Sequence, residues 1–386
     1  MSMINKEIID DFATTRKLSP STKRRYKLIL NRYSEFNNMT LQELLDEADL
    51  EEEQRIRRKK RKIKDRLLKF RTLVYDKYMT STAKSNMDVL LTFYRHFEIE
   101  IPQLPQVSTK NTIENPPLRY DDLLTKSILR QVVDQSNPLV RAIVLFSISS
   151  GCANAEVMSL TIQSFIDATS NQTSKYHSSN NIYEVIELLI DRDDLVPTFY
   201  LKRRKTNKYY YTFCSPEATH AILSYLASSK RKLVPEDKLF KIHPNALSRI
   251  LSEMNDELGL GKKGTYNRLR THMFRKFHAS NLKKDGMSME DINAIQGKGK
   301  NPINEPYFFD SPEHLKEEYI SHLDAITIHG SVRSLSLKSK EYHLLERELE
   351  KRNEEYNTLR DRVLNIEKTI GNNMTHDEME LLDKYV

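Results

Sequence analysis

A chain of 386 residues, 38% hydrophobic and 30% charged with a mean hydropathy of −0.62, has room for two packed domains and a tail. Lysine and arginine exceed aspartate and glutamate by 61 to 54, for a formal charge of +7, so the placement of the positive charge matters more than its sum. Two cysteines, Cys152 and Cys214, cannot build a disulfide framework or a cysteine-rich zinc site. The absence of a GxxxxGK[ST] or GxGxxG pattern argues against a nucleotide-phosphate loop. No apolar run is long enough to span a membrane, and the first residues lack a signal-peptide core, so a cytoplasmic protein is expected.

Residues 1–104 read as helical. The stretch LSPSTKRRYKLILNRYSEF opens on Ser/Thr caps and repeats Tyr26, Ile29, Leu30, Tyr33 and Phe36 at helical spacing. A second helical stretch, MTLQELLDEADLEEEQ, is expected to run on into RIRRKKRKIKDRLLKFRTLVYDKYM, and a third begins near TSTAKSNMDVLLTFYRHF. Between Arg55 and Arg71 the only acid is Asp65, while Ile56, Ile63, Leu67, Phe70 and Val74 keep helical spacing. That pattern predicts a docked helix with a cationic stripe facing outward, suited to duplex phosphates. Residues 105–117 are proline-rich and read as a linker.

Residues 118–328 form a second expected domain. LTKSILRQVVDQS and PLVRAIVLFSISSGCANAEVMSLT read as helices, and YEVIELLI, TFYLKRR and KYYYTFC as strands, with KTN as a hairpin tip. Helices resume at SPEATHAILSYL, where Ser215, Pro216 and Glu217 make a good helix start. Over residues 335–372, Tyr342, Leu345, Leu349, Tyr356, Leu359, Val363, Ile366 and Ile370 alternate by three and four, interrupted at Arg352. This is a coiled-coil candidate, or else a long helix lying on its own domain. The expected class is mainly α with a small antiparallel β-sheet.

Within RTHMFRKFHASNL (residues 270–282), His272, Arg275 and Lys276 share one helix face, and Met273, Phe274 and Phe277 supply the apolar side. Such a trio suits either a wet basic face or an anion site. HMFRK resembles the His-x-x-Arg-[His/Lys] box of tyrosine recombinases, the phage-integrase family. Lys298 follows Arg275 by 23 residues and Tyr307 by 32, in QGKGKNPINEPYFF, and Gly297-Lys298 looks like a lysine variant of the family's Gly-His. YLKRRKTNKYYYTF resembles the hairpin that carries the family's catalytic lysine, which would be Lys205. The Ser/Thr-led bundle before a proline linker looks like the family's core-binding domain. The resemblance spans roughly residues 15–325, and in detail is most like integrases of archaeal viruses and mobile elements.

This resemblance implies DNA cleavage and rejoining without metal, cofactor or ATP, at double-stranded attachment sites clamped between the two domains. It implies a tetramer on synapsed DNA, with a monomer or dimer when free. Tyr307 would attack the scissile phosphate to give a 3′-phosphotyrosyl link. Arg275 would bind the non-bridging oxygens, and Lys205 would protonate the leaving 5′ oxygen. His272 and Lys298 would donate hydrogen bonds or handle the tyrosine proton. Tyr319 is the competing tyrosine, 44 residues past Arg275.

One position departs from the family. Its Gly-x-Arg-x-x-Glu pattern meets SGCANAEVMSL here, with Gly151 and Glu156 in place but Ala153 in the arginine slot, or Asn154 if the register slips by one. Losing such a donor should cost about 10²- to 10³-fold in rate. An engineered inactive variant or a natural member that binds without cutting well would explain it. Takeover by Arg141, Arg203 or Arg204 is the least favoured explanation. The rival functions are a non-catalytic DNA-binding protein that keeps the fold, and a coiled-coil scaffold whose basic regions only solubilise it.

Overall fold

A computed structural model describes residues 4–108, 114, 116–173, 181–298 and 311–329, together with Arg352 and Arg360. The chain divides into two compact units, Met1–Pro117 and Leu118–Val386. The heptad candidate at 335–372 lies outside the described residues, apart from those two arginines.

The first unit is built from helices α1 (Ile4–Thr15), α2 (Pro20–Asn37), α3 (Leu41–Glu53), α4 (Lys62–Lys77) and α5 (Thr80–His96). Ser19 caps α2 through the Thr22 amide, and Thr40 and Glu43 form a reciprocal capping box on α3. Phe12, Leu30, Tyr33, Leu67, Phe70, Phe93 and Tyr94 fill the core. There the Tyr33 and Tyr94 hydroxyls share a 3.2 Å hydrogen bond, and burial pushes Tyr94 up to about 12.

The continuous helix expected across residues 41–78 is absent. The chain leaves α3 through Arg55, in the left-handed region at φ 53°, and makes a short 3₁₀ turn at Arg58–Lys60 before α4. The buried Glu51 carboxylate stabilises this break by accepting the Lys62 amide, 2.9 and 3.1 Å from its two oxygens. The outward stripe also needs correcting. Arg61 pairs with Glu52 and Glu100, and Arg66 grips Glu47 with two nitrogens. Those acids come from other segments, so the local window could not reveal them. Arg57, Lys59 and Lys60 remain exposed.

The second unit surrounds α7 (Pro138–Ser150), which is preceded by α6 (Lys126–Gln135). Asn137 caps α7, Pro138 takes its first position, and the helix is buried on nearly every side. It ends at Gly151, whose φ of 60° suits a residue without Cβ. The single turn α8 (Asn154–Val157) follows, then α9 (Ile162–Thr173) and α10 (Ile182–Leu189). YEVIELLI is therefore helical, not a strand. Asn181 caps it, and Ile182, Val185 and Leu189 bury one helical face that its β-branched composition had disguised.

Strands β1 (Thr198–Lys202) and β2 (Tyr209–Phe213) pair antiparallel, from Thr198 opposite Phe213 to Lys202 opposite Tyr209. Lys205, Thr206 and Asn207 form the tip, with Asn207 at φ 58°. Beyond the hairpin come α11 (Pro216–Ala227), α12 (Pro244–Glu257), and the two-residue strands β3 (Lys262–Lys263) and β4 (Tyr266–Asn267). Then follow α13 (Thr271–Lys284), α14 (Met289–Ile295), α15 (Pro312–Ser321) and α16 (Leu323–Ile326). Helices α11 and α13 pack along α7. The architecture is mainly α with small antiparallel sheets, and no helix among the described residues is long and apolar enough to cross a membrane.

Candidate active site

Arg275 projects from α13 into the interior and is only 8% exposed. Its helix is therefore not a plain amphipathic element with a wet basic face. One guanidinium nitrogen donates to the Gly151 carbonyl at 2.6 Å, the other to the Gln296 carbonyl at 2.7 Å. Gln296 returns its side-chain amide to the Arg275 carbonyl at 3.1 Å. This clamp ties α13 to the end of α7 and to the turn after α14. Two of the guanidinium's five N–H donors go to the frame, which leaves others for a ligand.

Behind Arg275 lies His278, fully buried, with Nδ1 donating to the Ile148 carbonyl at 3.0 Å. Burial, helped by the Arg275 and Lys298 charges, pushes it down to about 4. A Cβ at Gly151 would lie 2.6 Å from this ring. Glycine is thus required there for space as well as for backbone angle.

The turn after α14 carries Lys298, half-buried, and Gly297, at φ 61°. A Cβ on Gly297 would meet the Tyr210 ring at 2.6 Å, so the turn lies flat on β2. The Gly297 carbonyl accepts a hydrogen bond from Arg203, at the start of the hairpin tip. Three segments distant in sequence thereby bring Arg203, Arg275 and Lys298 together. Lys205 occupies the exposed tip of the same hairpin.

The electrostatics match that convergence. Burial lowers Arg275, and the Arg203 charge lowers it further, against opposing effects of Cys152, Tyr210 and Glu156. Burial, Arg275 and Arg203 lower Lys298 in that order. His272 is lowered by partial burial and then by Lys276, Arg270, Arg275 and Lys298, which favours its neutral form. Like charges held this close in a partly desolvated site are unfavourable until an anion neutralises them. Beside the α8 turn lies a groove of about 730 Å³, whose lining includes Asn154, Arg204, Lys238, Lys241 and His243.

Ala153 sits at the start of α8, its amide donating 2.7 Å to the buried Glu156 carboxylate. It lies two residues beyond the Gly151 carbonyl that holds Arg275. Tyr307 lies outside the described residues. Tyr319 is fully buried, with its hydroxyl 2.9 Å from Ser149 Oγ and 3.2 Å from the Ser149 carbonyl. Burial raises it well above the ordinary tyrosine range, so it is a packing residue and a poor nucleophile. The organising roles of Gln296, His278 and Tyr210 were not read from the sequence. The only hint was that they flank or fall within the motif segments.

No family model matches the chain, and no curated protein matches it. Several solved structures are similar to it. XerA recombinase is 16% identical, with 83% of this chain and 99% of that chain covered and a TM-score of 0.33. XerH site-specific recombinase bound to its difH substrate in a pre-cleavage complex is 14% identical, with 66% and 69% covered and a TM-score of 0.42. The Tn1549 transposon integrase in complex with circular intermediate DNA is 11% identical, with 81% and 98% covered and a TM-score of 0.41.

Proposed function

We propose that this chain is a site-specific DNA recombinase of the tyrosine type, which integrates or excises a mobile genetic element, of the kind carried by archaeal viruses. One observation carries the reading. Arg275 and Lys298, which the family motif picks out, lie with Arg203 at one partly buried turn whose like charges call for an anion, with His272 exposed one turn before Arg275 on the same helix. The scissile phosphate of duplex DNA is that anion.

In the proposed step the Tyr307 oxygen bonds to phosphorus as the bond from phosphorus to the 5′ oxygen breaks, leaving a 3′-phosphotyrosyl link. His272, whose neutral form its cationic neighbours favour, can take the tyrosine proton, while Lys205 gives one to the leaving 5′ oxygen. Docking of the hairpin tip on DNA would desolvate Lys205. Arg275 offsets the charge gathering on the non-bridging oxygens. Duplex attachment sites are the partners, and synapsis of two sites would assemble a tetramer. Exposed Arg57, Lys59 and Lys60 in the first unit, and the basic groove beside α8 in the second, would neutralise backbone phosphates.

With Ala153 in the arginine slot, cleavage should be slow relative to binding. That vacancy also supports a second reading, a non-catalytic DNA-binding protein on the same fold. The test is a nicked duplex that traps the covalent link, bearing the sequence that the full chain selects from a randomised pool. An adduct on a denaturing gel that Tyr307→Phe abolishes and Tyr319→Phe does not supports the recombinase. Tight, salt-dependent binding with no adduct, even after Ala153→Arg, would establish the second reading instead.

A further inference from the structure

We propose that Arg203 supplies a second guanidinium to the scissile phosphate and makes up in part for the side chain missing at Ala153, so that the slow cleavage expected above still depends on it. The proposal rests on the recombinase reading above and assigns a residue that the family motif does not.

Three observations carry it. First, Arg203 and Arg275 are anchored on consecutive carbonyls: Arg275 donates to Gln296 at 2.7 Å, and Arg203 donates to Gly297. Two guanidiniums held on neighbouring peptide units present adjacent forks, and their repulsion is felt by both Arg275 and Lys298. Second, the Arg203 backbone is pinned on both sides. Its amide donates to the Lys208 carbonyl at 2.8 Å, and its carbonyl accepts the Asn207 amide at 2.8 Å. The side chain therefore departs from a fixed point, one residue outside β1.

Third, the Arg203 Nε is buried and has no hydrogen-bond partner among the described residues. A buried donor left unmade is costly, so it marks a place where an acceptor belongs. The Gly297 carbonyl takes Nη1. That leaves Nη2 for a phosphate oxygen at once, and Nε, which is covered here, for a second one when the exposed hairpin tip shifts on docking to DNA. A tetrahedral phosphodiester has two non-bridging oxygens, and two adjacent forks match them better than one.

The vacancy at Ala153 fits this arrangement. Arg275 is held by Gly151 through one nitrogen and by Gln296 through the other. An arginine at 153 would extend from the Gly151 loop. Arg203 instead arrives on the carbonyl next to Gln296, from the hairpin that also carries Lys205. One hairpin would then deliver both a charge-neutralising group and the proton donor.

The test measures the rate of Tyr307-dependent adduct formation by the full chain on the nicked duplex described above. It compares a natural phosphodiester with a neutral methylphosphonate at the scissile position. Arg203→Ala should slow adduct formation by about 10²- to 10³-fold on the phosphodiester, the loss typical of one transition-state donor. On the methylphosphonate most of that loss should vanish, because the charge that Arg203 offsets is gone. Adding Ala153→Arg to Arg203→Ala should recover the phosphodiester rate in part.

Equal slowing on both substrates would reduce Arg203 to a support for the Gly297 turn and overturn the assignment. So would a parental rate in Arg203→Ala. If the parent forms no adduct while Ala153→Arg does, Arg203 does not fill the slot, although the recombinase reading stands. If no version forms an adduct while all bind the duplex, the recombinase reading fails and this assignment fails with it.

Discussion

Acid should destabilise the second unit through one residue, His278, by an amount that can be worked out. The imidazole is enclosed between α7 and the Gly151 loop, with Nδ1 donating to Ile148 and Nε2 buried without a partner among the described residues. Burial is the main cause that holds it at about 4 instead of 6.5. Because the folded value is depressed, the unfolded chain takes up a proton as pH falls below about 6.5, while the native chain resists until about pH 4. Stability is therefore lost on acidification across that window. At about 1.4 kcal/mol per pH unit, the loss attributable to this one group is about 3 kcal/mol.

The comparison is with His278→Asn, whose amide nitrogen can reach the Ile148 carbonyl as Nδ1 does but cannot titrate. The variant will be less stable at neutral pH because ring contacts are lost. Urea unfolding followed by circular dichroism, from neutral pH to about pH 4, gives both stabilities, and every other titrating group is common to the two chains. The difference between them should narrow by about 3 kcal/mol over that range. Parallel curves would show that the ring is not desolvated as described, and the reasoning about the Arg275 frame would fall with it.

Other expectations follow from the same geometry. Tyr319→Phe removes the hydroxyl that bonds Ser149 Oγ and the Ser149 carbonyl, leaving Oγ only the Ser215 amide, and should cost about 1–3 kcal/mol in a thermal melt without changing adduct formation. His329 donates Nδ1 to Glu217 at 2.6 Å and lies 2.9 Å from Asp134, so its proton is held more tightly than usual. The stability this contributes is complete below about pH 6.5 and is lost as pH rises through the elevated folded value. Melting midpoints of the parent should therefore fall toward those of His329→Gln on the alkaline side, and a constant gap would contradict the clamp. In the first unit, Lys59→Gln and Lys60→Gln should each flatten the salt dependence of DNA binding by about 0.9 in the log–log slope, with stability unchanged. Arg66→Gln, which breaks the grip on Glu47, should do the opposite and cost about 1–2 kcal/mol in unfolding free energy.

Where local chemistry decides the outcome, the sequence was readable. Ser19 and Ser215 announce helix starts because a short polar side chain satisfies an otherwise orphan amide. The hairpin was legible from aromatic and β-branched runs flanking Lys205–Asn207. The α10 segment misled because Ile and Val suit strands, although its apolar spacing was helical all along. The break before α4 was hidden because Glu51 stabilises it from the preceding helix. His272, Arg275 and Lys298 were singled out by resemblance to a family motif; the structure sets Arg275 beside the turn that carries Lys298 and leaves His272 exposed on α13. The orphan Nε of Arg203 could not be seen in any linear window. It arises only when a hairpin and the turn after α14 meet.

That turn has a consequence of its own. Residues 296–298 anchor Arg275, anchor Arg203 and carry Lys298, and the glycine at their centre has no room for even a methyl group against Tyr210. The proposed site therefore has a single point of failure that bears none of its reactive atoms. Under the proposed function, an alanine at 153 subtracts one contributor and leaves the others standing. A side chain at 297 would shift three cations together, and no single compensating change could restore them.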